Sequence, residues 1–213
     1  MGVLAAENIT FQYPQSDAPV LLGFSARFER GNITVVSGDN GSGKTTLTKL
    51  LVGVLRPSAG RVIVDGNDIA SMDLFEIGRH VGYVFQNPNR QLFCDTVYNE
   101  VAYGLRNMGL GEEQVEQKVC FHLDFFGLSR FREVYPGILS LGEKQRLALA
   151  AVIALGTGYL VLDEPATGLD ARRQLELGEI LLKLRRQNCG IMIVSHSSDF
   201  AARYADRELV IKR

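Results

Sequence analysis

The chain alternates short apolar stretches with amphipathic ones, in the order expected of strands and helices laid side by side. Residues 3–13 and 20–28 read as strands, separated by a loop that opens and closes on proline. Residues 33–37 (Ile-Thr-Val-Val-Ser) read as a buried strand, and 46–52 as a helix with Leu47, Leu50 and Leu51 on one side. A turn at 56–60 leads to a strand at 61–65, a short helix through 79 that Asp73 can cap, and a strand at 81–85. From 96 to about 136 the period becomes helical, with Val97, Val101 and Leu105, then Val115, Val119, Leu123 and Phe126. These stripes read as core, and His122 among them as an ordinary packed histidine. Ser140 and Glu143 form a capping box ahead of the apolar run 147–155. An apolar strand ends in Asp163 and Glu164, Asp170 opens a helix to about residue 187, and 190–194 read as the last core strand. The pattern predicts one α/β domain over residues 1–213, with an N-terminal antiparallel β subdomain and a helical subdomain inserted at about 87–155.

Composition narrows the possibilities. With 213 residues, 46% of them hydrophobic, the chain can bury a sizeable core. A formal net charge of −1 gives no basic face, so no nucleic-acid partner is expected. Cys94, Cys120 and Cys189 are scattered, odd in number and without a C-x-x-C pair, as reduced thiols of a cytosolic protein are. The N-terminus lacks the basic and long apolar regions of a signal peptide. The most apolar run, 147–162, is broken at Gly156 and Gly158 and stops at two acids, so membrane association is expected only through a partner.

The chemistry concentrates at residues 38–45, read Gly-Asp-Asn-Gly-Ser-Gly-Lys-Thr, which match G-x-x-x-x-G-K-[ST] in full. A triphosphate tail needs many donors at close range. Gly38, Gly41 and Gly43 let the backbone N–H groups of the loop, including those of Asp39, Asn40, Ser42 and Thr46, turn inward at a helix N-terminus. Lys44 is placed for the β- and γ-phosphates and the Thr45 hydroxyl for Mg²⁺. Asp163 suits the magnesium shell, and Glu164 a general base for water. Side chains alternate along a strand, so these two acids point apart unless the chain turns at once. Gln86, leaving a core strand, is placed to touch Mg²⁺ or the attacking water, or is a plain loop amide. Tyr13 either stacks on adenine or packs. Ser140 either offers a helix N-terminus to an anion or simply caps its helix. His196, beyond the C-terminal end of a core strand, has a reason to face the γ-phosphate; His80 has none.

Together these pieces resemble the nucleotide-binding subunit of an ABC transporter, a P-loop NTPase, over essentially the whole chain. The resemblance implies that Tyr13 stacks on adenine and that residues 38–45 form the Walker A loop. It makes Gln86 the Q-loop, Ser140 and Gly142 the signature motif, and Asp163 with Glu164 the Walker B acid and catalytic base. Asp170 becomes the D-loop and His196 the switch histidine, with ATP and Mg²⁺ as ligands. The words Val-Phe-Gln-Asn-Pro followed by Gln-Leu-Phe, and Glu-Lys-Gln-Arg after the signature, are similar to energy-coupling-factor and cobalt/nickel importer ATPases. That group implies a second ATPase subunit, identical or different, an integral membrane subunit and a substrate-binding membrane protein for a vitamin or metal ion. It places the chain peripherally, on the cytoplasmic face of the cell membrane. Two alternatives stand beside it: a soluble ABC ATPase of DNA repair or translation, and the weaker subunit of an asymmetric pair.

One departure from the family pattern is expected to matter. The signature normally reads Leu-Ser-Gly-Gly-Gln, and this chain has Leu141 for the first glycine and Glu143 for the glutamine. A side chain hinders close backbone approach and an acid repels phosphate, which predicts that the site completed by this signature is the weaker one.

Overall fold

A computed structural model describes residues 2–195 and 198–212. β1 (Val3–Phe11) lies between β2 (Leu21–Glu29) and β4 (Ala59–Val64), antiparallel to both, and β5 (Asn67–Asp68) extends the sheet to the order β2-β1-β4-β5. Leu4 pairs with Phe28 on one side and Val64 on the other, and all three are buried. This is the predicted N-terminal antiparallel layer, and residues 59–64 belong to it.

The second sheet runs β6-β7-β8-β3-β9, built from Val81–Val84, Tyr159–Asp163, Gly190–Val194, Ile33–Ser37 and Arg207–Val210. Its pairs β7/β8, β8/β3 and β3/β9 are parallel. Strands covered on both faces carry unbroken apolar runs, which is why β7 and β8 are buried at every position. The register matters more than the order. Val36 pairs with Val194, and Val194 with Asp163, so β3, β8 and β7 end level with one another. The loop after β3 and the acids after β7 therefore emerge together at the carboxyl edge, where open parallel sheets hold ligands.

Helix α1 (Lys44–Leu51) buries Leu47, Leu50 and Leu51 in a core shared with Leu4, Ile9, Phe28, Tyr159 and Met192. Helix α2 (Leu74–His80) carries a complete capping box between Asp73 and Glu76, one residue longer than predicted. A polar tie joins β7 to the turn after β4: Asp65 accepts hydrogen bonds of 2.6 Å from both Tyr159 Oη and Arg30 Nη2. Burial pushes the Asp65 carboxyl up, but the bonds from Arg30 and Tyr159 outweigh it and the net pKa is lowered.

The contacts divide the chain into two compact units. One holds both sheets, apart from the last residue of β6, with α1, α2, α6 (Ala171–Arg186) and α7 (Ser198–Tyr204). The other comprises residues 84–156 and 167–170, with α3 (Val97–Asn107), α4 (Glu112–Phe125) and α5 (Leu141–Ala154) packed on one another. The predicted helical stretch is thus two helices, broken where Gly109 takes φ +82°. Both apolar stripes are buried, as is His122, whose Nδ1 lies 2.8 Å from the Lys118 carbonyl. Among the described residues no helix is long and apolar enough to cross a membrane.

Candidate nucleotide site

The loop between β3 and α1 is a cradle. An α-helix leaves its first N–H groups without intrahelical partners. Leu47 N bonds to Gly43 O at 2.8 Å, so the N–H groups of Lys44, Thr45 and Thr46 precede the hydrogen-bond ladder of α1. No side chain caps this end, since the residue before it is Gly43. Gly38 has φ +147°, and a β-carbon there would run into the Ile211 carbonyl and lie 2.8 Å from Ser42 Oγ. Ser42 is buried, yet its hydroxyl has no hydrogen-bond partner among the described residues. Asp39, Asn40 and Gly41 are exposed at the rim.

Lys44 is 7% exposed, and its ammonium donates to the carbonyls of Gly38 and Asp39, each at 2.8 Å. It is thereby tethered across the loop it belongs to, with three donors available and two engaged by neutral carbonyls. An anionic oxygen is the stronger acceptor. The cradle's size limits, its unpartnered hydroxyl and its lysine all fit a polyphosphate. Tyr13 lies at the edge of this arrangement, half exposed, its hydroxyl 3.3 Å from Thr46 Oγ1 and its ring edge-on to Phe11. The hydroxyl end of an aromatic ring therefore stands beside the helix start.

The two acids stand at the carboxyl end of β7, Asp163 as its last residue and Glu164 just beyond it. Asp163 is 3% exposed and burial raises its pKa, opposed by the Thr45 hydroxyl, the charges of Lys49 and Lys44, and the Tyr83 hydroxyl. A buried carboxylate facing a threonine hydroxyl, with no cluster of three acidic, histidine or cysteine ligands among the described residues, fits Mg²⁺, which takes one or two carboxylates and fills its shell from phosphates and water. The condition for Glu164 to join it is met. Glu164 adopts φ +53°, a left-handed conformation rare for a side chain of this size, and its N–H bonds to Val194 O at 3.0 Å. The chain turns at the first residue after β7, so Glu164 leaves the strand's alternation at the same edge as Asp163 and Gly38. Strained backbone of this kind collects at working sites.

Gln86, Ser140, Gly142 and Asp170 lie in the second unit. Gln86 is exposed two positions beyond β6, and Asp170 is exposed immediately before α6. Ser140 caps α5 through a complete box: its N–H and hydroxyl donate to Glu143 Oε2 at 2.9 and 2.6 Å, and Glu143 N donates to Ser140 Oγ at 3.4 Å. The Glu143 carboxylate, expected to repel phosphate from the helix mouth, is folded back on its own cap. Bonding from Ser140 lowers its pKa, with smaller help from Arg146 and Arg130. Leu141 is 52% exposed, and a β-carbon on Gly168 would meet its side chain at 3.2 Å. His196 lies outside the described residues.

Two side chains escaped the pattern of the sequence. Tyr83 reads as one more aromatic in a strand, but its hydroxyl faces Asp163. Burial, with Asp163 adding to it, pushes its pKa up to about 12. Glu100 sits inside the apolar stripe of α3, 6% exposed, and its Oε2 accepts from the backbone N–H groups of Phe93 and Cys94 at 2.9 and 2.8 Å. An acid lodged between Val97 and Val101 on one helical face was the available signal.

Comparison with known proteins agrees with this geometry. A family model described as ABC transporter matches residues 21–167. An ABC transporter ATP-binding protein of Pyrococcus furiosus is 43% identical over 98% of this chain and 80% of its own length. The energy-coupling factor transporter ATP-binding protein EcfA of Methanothermobacter thermautotrophicus is 40% identical over 98% of this chain and 68% of its own length. The structure of cbiO1 from Clostridium perfringens, described as part of the ABC transporter complex cbiONQ, superposes with a TM-score of 0.85 at 32% identity, covering 98% of this chain and 84% of that one. Fold, phosphate loop and relatives agree: the chain belongs to the ABC transporter family, as an ATP-hydrolysing subunit.

Proposed function

We propose that the chain powers an importer of the energy-coupling-factor type, for a vitamin or transition-metal ion, from the cytoplasmic face of the membrane. The observation that carries the hydrolytic part is the common register of β3, β8 and β7, which brings the loop, Asp163 and Glu164 to one edge. The importer type is supported by the Val84-Phe85-Gln86-Asn87-Pro88 and Gln91-Leu92-Phe93 words and by the likeness to EcfA and cbiO1.

ATP lays its phosphates in the loop, and Lys44 exchanges two carbonyls for phosphate oxygens. Tyr13 stacks on the adenine. Thr45 and Asp163, with Gln86, would hold Mg²⁺, whose charge would offset that of the phosphates. Glu164 accepts the proton of the attacking water, His196 aligns it, and Lys44 with the loop N–H groups stabilises charge spread over the γ-phosphoryl group. A second ATPase subunit closes over the site with its Ser140 and Gly142 counterparts, Asp170 lies at the junction, and reopening drives an integral membrane subunit that works with a substrate-binding membrane protein. Purifying the tagged chain from membranes tests this reading. An integral membrane protein should accompany it at fixed stoichiometry; recovery of the chain alone, or with soluble nucleic-acid machinery, contradicts it.

The exposed Leu141 favours a further reading, in which this signature completes the weaker of two sites. Glutamine in place of Glu143 can still accept from Ser140, so the cap survives while the charge goes. Combined Leu141→Gly and Glu143→Gln changes are expected to raise turnover of a homodimer about three- to tenfold, with most of the gain from Leu141→Gly. Steady-state phosphate release checks it, and an unchanged rate contradicts it.

A further inference from the structure

Tyr83 stands third in β6, on the strand next to β7. Its hydroxyl is 3.2 Å from Thr48 Oγ1, and Thr48 is fully buried on α1, one helical turn beyond Thr45. Thr48 Oγ1 also lies 2.8 Å from the Thr45 carbonyl. A threonine hydroxyl has one proton and so has a tyrosine. While Thr48 donates to the Thr45 carbonyl, it can only accept from Tyr83, and the tyrosine proton is turned away from Asp163. When Thr48 turns its proton to Tyr83 instead, the tyrosine is free to donate to the carboxylate, the better acceptor because it is charged. The Thr48 hydroxyl and the Thr45 carbonyl on α1 thus decide whether Asp163 receives a hydrogen bond from Tyr83.

We propose that Tyr83 is a positioning residue for Asp163: anchored on Thr48, its hydroxyl holds one carboxylate oxygen and leaves the other turned toward Thr45. Burial alone would not orient the group, since a carboxylate rotates about its last bond with broad freedom. With one oxygen held, the other stands beside the threonine hydroxyl with its lone pairs available, the arrangement a small cation of strict geometry requires. This rests on the reading of Thr45 and Asp163 as the Mg²⁺ site.

The test uses the full chain carrying Glu164→Gln, so that nucleotide is bound and not consumed, and a fluorescent ATP analogue as probe. Affinity is measured with Mg²⁺ and again in EDTA, and the ratio of the two is the readout. Tyr83→Phe keeps the ring and removes the hydroxyl. It should lower that ratio about tenfold, the size of one lost hydrogen bond to a charged group. If Tyr83→Phe lowers the melting temperature but leaves the ratio as in its parent, Tyr83 only packs and the proposal is overturned. If the parent itself binds nucleotide no more tightly with Mg²⁺ than in EDTA, the metal-site reading fails first and takes this one with it.

Discussion

Replacing Glu164 by glutamine is expected to cut ATP turnover by about 10²- to 10³-fold while nucleotide binding persists. A positioned general base contributes about 10²- to 10⁴-fold, and the amide keeps the size of the side chain while being unable to accept a proton. The geometry makes the substitution a clean one. Glu164 owes its place to the left-handed turn at φ +53° and to the bond from its N–H to Val194 O, and both are backbone features that glutamine keeps. The change therefore separates proton transfer from architecture. Phosphate release and filter binding, measured on the same preparation, should part company; a rate within threefold of the parent would remove Glu164 from the chemistry.

The second large effect is expected at Gly38. Its β-carbon would collide with backbone, the Ile211 carbonyl, and with Ser42 Oγ at 2.8 Å, and its φ of +147° is closed to most side chains. Backbone cannot step aside as the end of a side chain can. Gly38→Ala should cost about 3 kcal/mol of stability and weaken ATP binding about a hundredfold or more. Gly41 supplies the control. It has φ +79°, but no atom lies within 4 Å of the place a β-carbon would take, so Gly41→Ala should cost only about 1 kcal/mol of conformational strain. Urea unfolding and equilibrium ATP binding on the two variants should rank them in that order. Equal losses would mean that conformation, and not crowding of the cradle, governs the loop.

Why some of this site could be read from residues alone, and some not, follows from how each part is specified. A phosphate cradle requires particular residues at fixed spacing because the backbone itself is the ligand-binding surface, so residues 38–45 declare themselves. Helix caps do so for the same reason: the cap of Asp73 and the box of Ser140 with Glu143 are local, and both form as read, while the return bond from Glu76 that completes a second box at Asp73 is added by the structure. Contacts between distant segments leave no such trace. Nothing within residues 81–84 distinguishes a packed tyrosine from one whose hydroxyl meets Thr48 and Asp163, because the partners arrive from α1 and β7. The level ending of β3, β8 and β7 is likewise a matter of register across the sheet. The direction of the Glu143 side chain is hidden for a related reason: its charge is visible in the sequence, but not that its carboxylate turns back to Ser140. Helix limits moved by a residue or two where the last turn depends on neighbours, as at His80 and Arg186.

On binding ATP, the loop after β3 is expected to grip its phosphates, with Lys44 released from its own backbone to do so. The direct measurement is a crystal structure of the Glu164→Gln chain grown with ATP and Mg²⁺. Phosphates should lie within the curve of residues 38–45 with Lys44 Nζ bonded to them, no longer to the carbonyls of Gly38 and Asp39. Nucleotide lodged elsewhere, or Lys44 still holding both carbonyls beside bound phosphates, would contradict it.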